Sequence, residues 1–231
     1  MERHAPLSWQ SKSLLSEISD LAPDIVCLTE AHEGSTSSLG GHEISAAGIP
    51  WSPHSETERK VVLWSRSQWG DVQCPEDIAA FGGVISGETE ANGIRYRVIG
   101  LCIPYASASP LGQHPKRRMW EQHKDFLNAL SLYIPSLDLS VPTITLGDFN
   151  RTIPSSWGSK SAYAYLIEIL TDFAVLTAGL ADEQGKRSVD HICVNFDYSK
   201  LEIASLWRGA ENGKKRSDHS GVFINILPAV K

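Results

Sequence analysis

Thr143-Ile144-Thr145-Leu146-Gly147-Asp148-Phe149-Asn150 is the stretch on which the fold turns. After Pro142 it begins as a β-branched and aliphatic run, the pattern of a buried strand. The run stops at Gly147, and an acid and an amide follow two residues apart. Alternation along a strand sends Asp148 and Asn150 one way and Phe149 the other, so Phe149 is expected to anchor the turn in the core. Asp148 offers a carboxylate, and Asn150 an amide that both donates and accepts. Such a pair at a sheet rim suits holding a water or a phosphate oxygen. A capped turn would use the same residue types, so the rest of the chain has to decide.

Working outward, Asp24-Ile25-Val26-Cys27-Leu28-Thr29-Glu30 is a second near-continuous apolar run that ends in an acid. Before it, Leu14, Leu15, Ile18 and Leu21 predict an amphipathic helix over Ser8 to Leu21, closed by Pro23. Ala31 to Glu58 reads as a long surface loop rich in Gly, Ser and His. His32, His42 and His54 lie in it without ligand spacing and read as surface residues. Lys60 to Ser65 is a strand. Phe81 to Ser86 and Ile94 to Pro104 are two more, with the hairpin signal Asn92-Gly93 between them. A long helix follows, with its stripe at Met119, Trp120, His123, Phe126, Leu127, Leu130 and Tyr133, and Lys116, Arg117 and Arg118 at its start. Ala162 to Phe173 is another helix. Arg187 to Val194, Leu201 to Trp207 and Gly221 to Leu227 are strands, with a charged turn from Glu211 to Arg216. Helices spaced among many strands predict two sheets packed face to face with helices outside.

The 231 residues suffice for one large α/β domain over 1–231, and 42% hydrophobic with 21% charged residues is ordinary for a globular chain. No apolar run approaches the roughly 20 residues that span a bilayer, and Met1 to Pro6 lacks an apolar signal core. Cys27, Cys102 and Cys193 sit inside apolar runs, as reduced core thiols would. A cytoplasmic protein is the simplest expectation. The net charge of −6 excludes a global basic field for non-specific nucleic-acid binding but leaves room for a local basic groove. Lys214-Lys215-Arg216 is read as a solvated turn within reach of a phosphate, and Trp51 and Trp69 as tryptophans that could be exposed.

Glu30, Asp148, Asn150, Asp190 and Asp218 all fall at or near strand ends, and His219 stands beside the last of them. An acid buried in a strand, as Asp190 would be, needs a partner, and a histidine is the natural one. Clustered carboxylates need a cation, or else some of them stay protonated. With oxygen ligands and no cysteine cluster, Mg2+ or Mn2+ is favoured over Zn2+.

Asp24 to Glu30, Gly147-Asp148-Phe149-Asn150, Val189-Asp190-His191-Ile192 and Ser217-Asp218-His219 together resemble, in kind and order, the motifs of the endonuclease/exonuclease/phosphatase superfamily. The resemblance covers about residues 12 to 228. It implies a four-layer α/β/β/α sandwich of two mixed, largely antiparallel sheets and a metal-dependent phosphoesterase acting on a phosphodiester or phosphomonoester. Carried over, Glu30 is the principal Mg2+ ligand and Asp148 orients or deprotonates the attacking water, with Asn150 on a phosphate oxygen. Asp190 pairs with the histidine, His219 contacts the scissile phosphate, and Asp218 supports the metal or the histidine. The partner is then a nucleic acid or a small phosphate or lipid headgroup.

Two departures stand beside the resemblance. The family's first strand, with its Asn, has no counterpart before Glu30, which implies a late start codon, a truncation or a divergent member. Where the family places a Tyr or His before the long helix, Cys102 stands, with Tyr105 near. The alternative expectation is therefore a catalytically impaired relative that binds phosphates, nucleic acid or a protein.

Overall fold

The structure is a computed structural model that describes residues 4–46, 56–75, 78, 83–109, 118–209 and 214–229. Helix α1 (Trp9–Asp20) starts at Ser8, whose hydroxyl accepts from the Ser11 amide. It leads into β1 (Ile25–His32), followed by β2 (His42–Ser45), β3 (Glu58–Ser65), β4 (Gly70–Gln73), β5 (Gly83–Ala91) and β6 (Ile94–Cys102). Helix α2 (Glu121–Tyr133), β7 (Thr143–Asp148), α3 (Lys160–Ile169), β8 (Ala174–Val175), β9 (Asp190–Val194), β10 (Tyr198–Leu206) and β11 (Gly221–Pro228) complete the order.

One sheet has six strands in the order β4-β5-β6-β7-β9-β8. Only the β6–β7 pair is parallel. The facing layer is split into a three-stranded sheet, β1-β3-β2, and a hairpin of β10 and β11. The expected two-sheet sandwich is thus present with its second sheet in two parts.

Alternation decides which side chains meet. Odd-numbered Ile99 and Leu101 of β6 pack with Phe126, Leu127 and Leu130 of α2 and Leu166 of α3. Even-numbered Val98 of β6, Ile144 and Leu146 of β7 and Ile192 of β9 face Val61 and Leu63 of β3. On the far side of the second layer, Leu15 of α1 covers Val26, Leu28, Val62 and Trp64. The layers are therefore helices, sheet, second sheet layer, helix.

Gly147 of β7 pairs with Leu101 of β6. Its φ is +134°, and a Cβ there would lie 2.0 Å from the Leu101 carbonyl oxygen. Gly147→Ala is expected to destabilise the fold by about 3 kcal/mol or more. Thermal unfolding of the variant checks this, and a midpoint equal to wild type would contradict the close approach.

Several expectations need correction. The loop predicted over Ala31 to Glu58 contains β2 and a 3-10 turn at Ser37–Leu39. β4 lies in a stretch assigned no element, because a four-residue edge strand is too short to show alternation. His32 is buried, with Nδ1 2.9 Å from Thr57 Oγ1. His42 is exposed, and His54 and Trp51 lie outside the described residues. Trp69 is half-buried and donates to the His42 carbonyl at 3.0 Å. α2 begins at Glu121, after Arg118, and Lys116 and Arg117 lie outside the described residues, as do 211–213 of the charged turn. All four cysteines are free thiols. Among the described residues no helix is long and apolar enough to cross a membrane.

Candidate functional site

The phase that puts Ile144 and Leu146 between the layers carries on to Asp148, and the phase of Ile192 and Val194 carries back to Asp190. The β7–β9 register places Asp148 directly opposite Asp190. Two carboxylates thereby meet at one strand end, 6% and 9% exposed. His191, one residue out of phase, turns the other way and bonds Thr177 Oγ1 at 3.1 Å and the Arg151 carbonyl at 2.9 Å.

His219 enters from the turn before β11. Its Nδ1 lies 2.7 Å from Asp190 Oδ2, and its Nε2 lies 3.8 Å from Asp148 Oδ2 and 3.4 Å from Asp218 Oδ1. The turn is fixed from behind. Arg208 Nη1 donates to the Asp218 carbonyl at 2.9 Å, and Ser220 Oγ donates to Asp182 Oδ2 at 3.2 Å. Asp148, Asp190 and His219 each present one ligand atom within 4.8 Å of the others.

Phe149 is fully buried, as the alternation predicted, and its amide donates to the Val189 carbonyl at 3.0 Å. Asn150 then takes a left-handed φ of +50°, which an asparagine tolerates better than most residues. Its amide N–H donates to Asp148 Oδ1 at 2.7 Å. Its side-chain Nδ2 donates to Asp148 Oδ2 and to the Ile103 carbonyl, both at 2.8 Å. Both amide hydrogens are used within the protein, so Asn150 orients Asp148 and has no side-chain donor left for a phosphate. Behind it, the Arg151 guanidinium is buried against Trp120, 4.7 Å from the ring, which holds the loop that follows β7.

Glu30 reaches the site by a break in β1. Val26 and Leu28 face α1, and strict alternation would send residue 30 the same way. Instead Ala31 packs on that side with Val26 and Leu28, because Glu30 has a left-handed φ of +49°. The Glu30 carboxylate forms an ion pair with Lys60 of β3. Its charge is felt at Asp148. Asp218 is the most exposed of the acids, at 54% of its side chain.

Burial and the charge of Asp190 push Asp148 up to about 7, against the opposing pull of His219 and the Asn150 amide. Burial alone would lower His219, but the Asp190 charge and hydrogen bond, with Asp148 and Asp218, raise it to about 10. The structure thus gathers Asp148, Asn150, Asp190, Asp218 and His219, with Glu30 on the flank beside Lys60. Four carboxylates, Glu30, Asp148, Asp190 and Asp218, face two cationic side chains, Lys60 and His219. That hard-oxygen surplus fits a divalent cation.

Neither Lys60 nor the Arg151–Trp120 contact has a motif of its own in the sequence. The signal for Lys60 is its strand position opposite Glu30. Cys102, by contrast, is buried in register with Asp148, and Tyr105 is exposed. Arg216 pairs with Glu17 of α1 at 2.7 Å, while Lys214 and Lys215 are exposed. An apolar cavity of about 350 Å³ runs beside the site between β1 and β11, floored by Ile144, Leu146 and Ile192, and reaches Asp190 and His219.

The family model described as Endonuclease/Exonuclease/phosphatase family matches residues 6–219. Solved structures share the fold. A 3'-5' exonuclease from Neisseria meningitidis superposes with a TM-score of 0.66 at 18% identity, covering 94% of this chain and 96% of that one. An AP endonuclease from Archaeoglobus fulgidus gives 0.65 at 17%, with coverage of 95% and 94%. An endonuclease/exonuclease/phosphatase from Beutenbergia cavernae gives 0.64 at 16%, covering 94% of this chain and 66% of that one. No curated protein matches the chain.

Proposed function

Because the chain belongs to the endonuclease/exonuclease/phosphatase family, whose members are hydrolases of phosphoester bonds, we propose that it is a Mg2+-dependent phosphoesterase. Its substrate is a phosphodiester of the nuclease type or a phosphomonoester. The observation that carries the reading is the convergence of Asp148, Asp190 and His219 within 4.8 Å at one strand end. Glu30 and Asp218, the flanking carboxylates, are the residues that would hold the metal, with Mn2+ as a substitute. When bound, a divalent ion polarises the phosphoryl oxygens and offsets their charge.

The chain's own groups supply the rest. Asp148, held by the two Asn150 donors, orients the attacking water and takes its proton. His219, kept cationic by Asp190, donates from Nε2 to a phosphate oxygen as negative charge builds there. Asp190 fixes the imidazole so that Nδ1–H faces its own carboxylate. Residues 1–231 act as one domain in this reading, and the free thiols of Cys27, Cys74, Cys102 and Cys193 support a reducing, cytoplasmic setting.

A panel of abasic DNA, plasmid DNA, sphingomyelin and inositol phosphates tests it. At least one is expected to be hydrolysed in Mg2+, with the rate lowered by about 10²-fold or more in EDTA. Equal rates in the chelator would remove the metal from the mechanism.

A further inference from the structure

Lys60 is a cation built into an acidic site. The β1–β3 register runs through Thr29 opposite Val61 and Ala31 opposite Arg59, which puts Lys60 across from Glu30. The pair is largely enclosed, with 13% of the lysine side chain and 27% of the glutamate exposed. The lysine stem is confined by β5, since a Cβ on Gly83 would lie 2.4 Å from Lys60 Cβ. Lys60, Glu30 and Asp148 all act electrostatically on Cys102, the register partner of Asp148. Gly83 pairs with Cys102, so the Lys60 stem packs on the layer that carries Asp148.

A carboxylate oxygen held by an ammonium must exchange that partner for any metal that takes it. The two cations cannot share one oxygen without strong repulsion at such short range. Lysine suits the exchange, because its point charge sits on a flexible stem and has three donors to redirect.

We propose that Lys60 is a tethered competitor for the metal ligand Glu30. It holds the carboxylate while no divalent ion is bound, is displaced by the ion, and then donates to an oxygen of the substrate phosphate. Metal and phosphate binding are coupled through this one side chain. The inference rests on the phosphoesterase reading.

Calorimetric titration of Mg2+ into wild type, Lys60→Met, Lys60→Gln and Lys60→Arg tests it, with thermal unfolding to confirm that each variant is folded. Lys60→Met and Lys60→Gln are expected to bind Mg2+ about 10-fold or more tightly than wild type, and Lys60→Arg to stay near wild type. Inorganic phosphate, titrated in saturating Mg2+, is expected to bind about 10-fold more weakly to Lys60→Met. In wild type the Lys60 ammonium nitrogen resonance is expected to shift on adding Mg2+ and again on adding phosphate. Unchanged or weaker Mg2+ binding in both neutral variants overturns the proposal, as does a resonance that ignores Mg2+. If those results come from a protein that still hydrolyses a phosphoester in Mg2+, only the role of Lys60 falls. If neither wild type nor any variant binds Mg2+, the phosphoesterase reading falls with it.

Discussion

Asp148→Asn is expected to lower turnover of a phosphoester by about 10³-fold, with little change in the folded structure. The substitution is nearly isosteric, so the β7–β9 pairing keeps its place, while one of the two Asn150 hydrogen bonds is lost because the new amide has a single acceptor oxygen. What is lost is the only carboxylate among the described residues that Asn150 orients and that also faces His219 Nε2. An amide cannot take a proton from water. Turnover is measured under saturating substrate and Mg2+. A loss of less than about 10-fold would show that another group activates the water. The same acid sets a pH limb. Burial and Asp190 raise it to about 7, so wild-type activity rises with pH through about 7 in dilute Mg2+. Higher Mg2+ moves that limb to lower pH, since a cation beside the site favours the charged carboxylate. The sign for stability is opposite. An acid raised from 3.8 to about 7 in the folded state contributes stability that is complete below 3.8 and lost as pH rises through about 7.

The second large effect is expected from Asp190→Asn, a loss of about 10²- to 10⁴-fold in turnover. His219 Nδ1 now donates to Asp190 Oδ2 at 2.7 Å. An amide nitrogen in that place would donate toward Nδ1 and push the ring proton to the other nitrogen. The largest of the charges that raise His219 to about 10 is also removed, leaving burial opposed only by the weaker pull of Asp148 and Asp218. Wild type is therefore expected to stay active on the alkaline side up to about pH 10, and the variant's residual activity to fall off at lower pH than that. His219 is raised in the folded state, so its contribution to stability is complete below 6.5 and lost as pH rises through about 10. Removing one partner of this enclosed pair costs about 3 kcal/mol at neutral pH. Chemical denaturation near pH 7 and near pH 11 checks the sign. A difference between wild type and variant that persists at the higher pH would contradict the linkage.

Much of this site could be read from the chain because period-two alternation is a strong constraint. Once Ile144 and Leu146 face inward, Asp148 must follow, and Ile192 does the same for Asp190. His219 was legible by its place beside Asp218 at the start of a strand. Glu30 stands out in the sequence as a strand-end acid, and the structure modifies the reason it matters. Its side chain joins the site only because the backbone breaks phase there, and no residue type in Thr29-Glu30-Ala31 announces a left-handed turn. Lys60 could not be read without that break, since its importance comes from the cross-strand neighbour. His32, without ligand spacing, reads as a surface residue, and the partner that buries it, Thr57, is 25 positions away. The resemblance implies a phosphate contact for Asn150, whereas the structure spends its donors on Asp148 and Ile103. Sequence spacing shows that two polar groups are neighbours, but not which of them is already satisfied.

The backbone at residue 30 also bears on how such a chain can drift. A left-handed φ is cheap for glycine and tolerable for asparagine, and costs a glutamate on the order of 1 kcal/mol. Conformational preference and the proposed metal-ligand role therefore pull this codon in different directions. A lineage released from selection for turnover would gain robustness by substituting Glu30 with the smaller residues, while Asn150, whose side chain already suits its φ of +50°, would feel no such pressure. A glutamate retained at position 30 across diverged copies would be a trace of selection for activity that geometry alone does not explain.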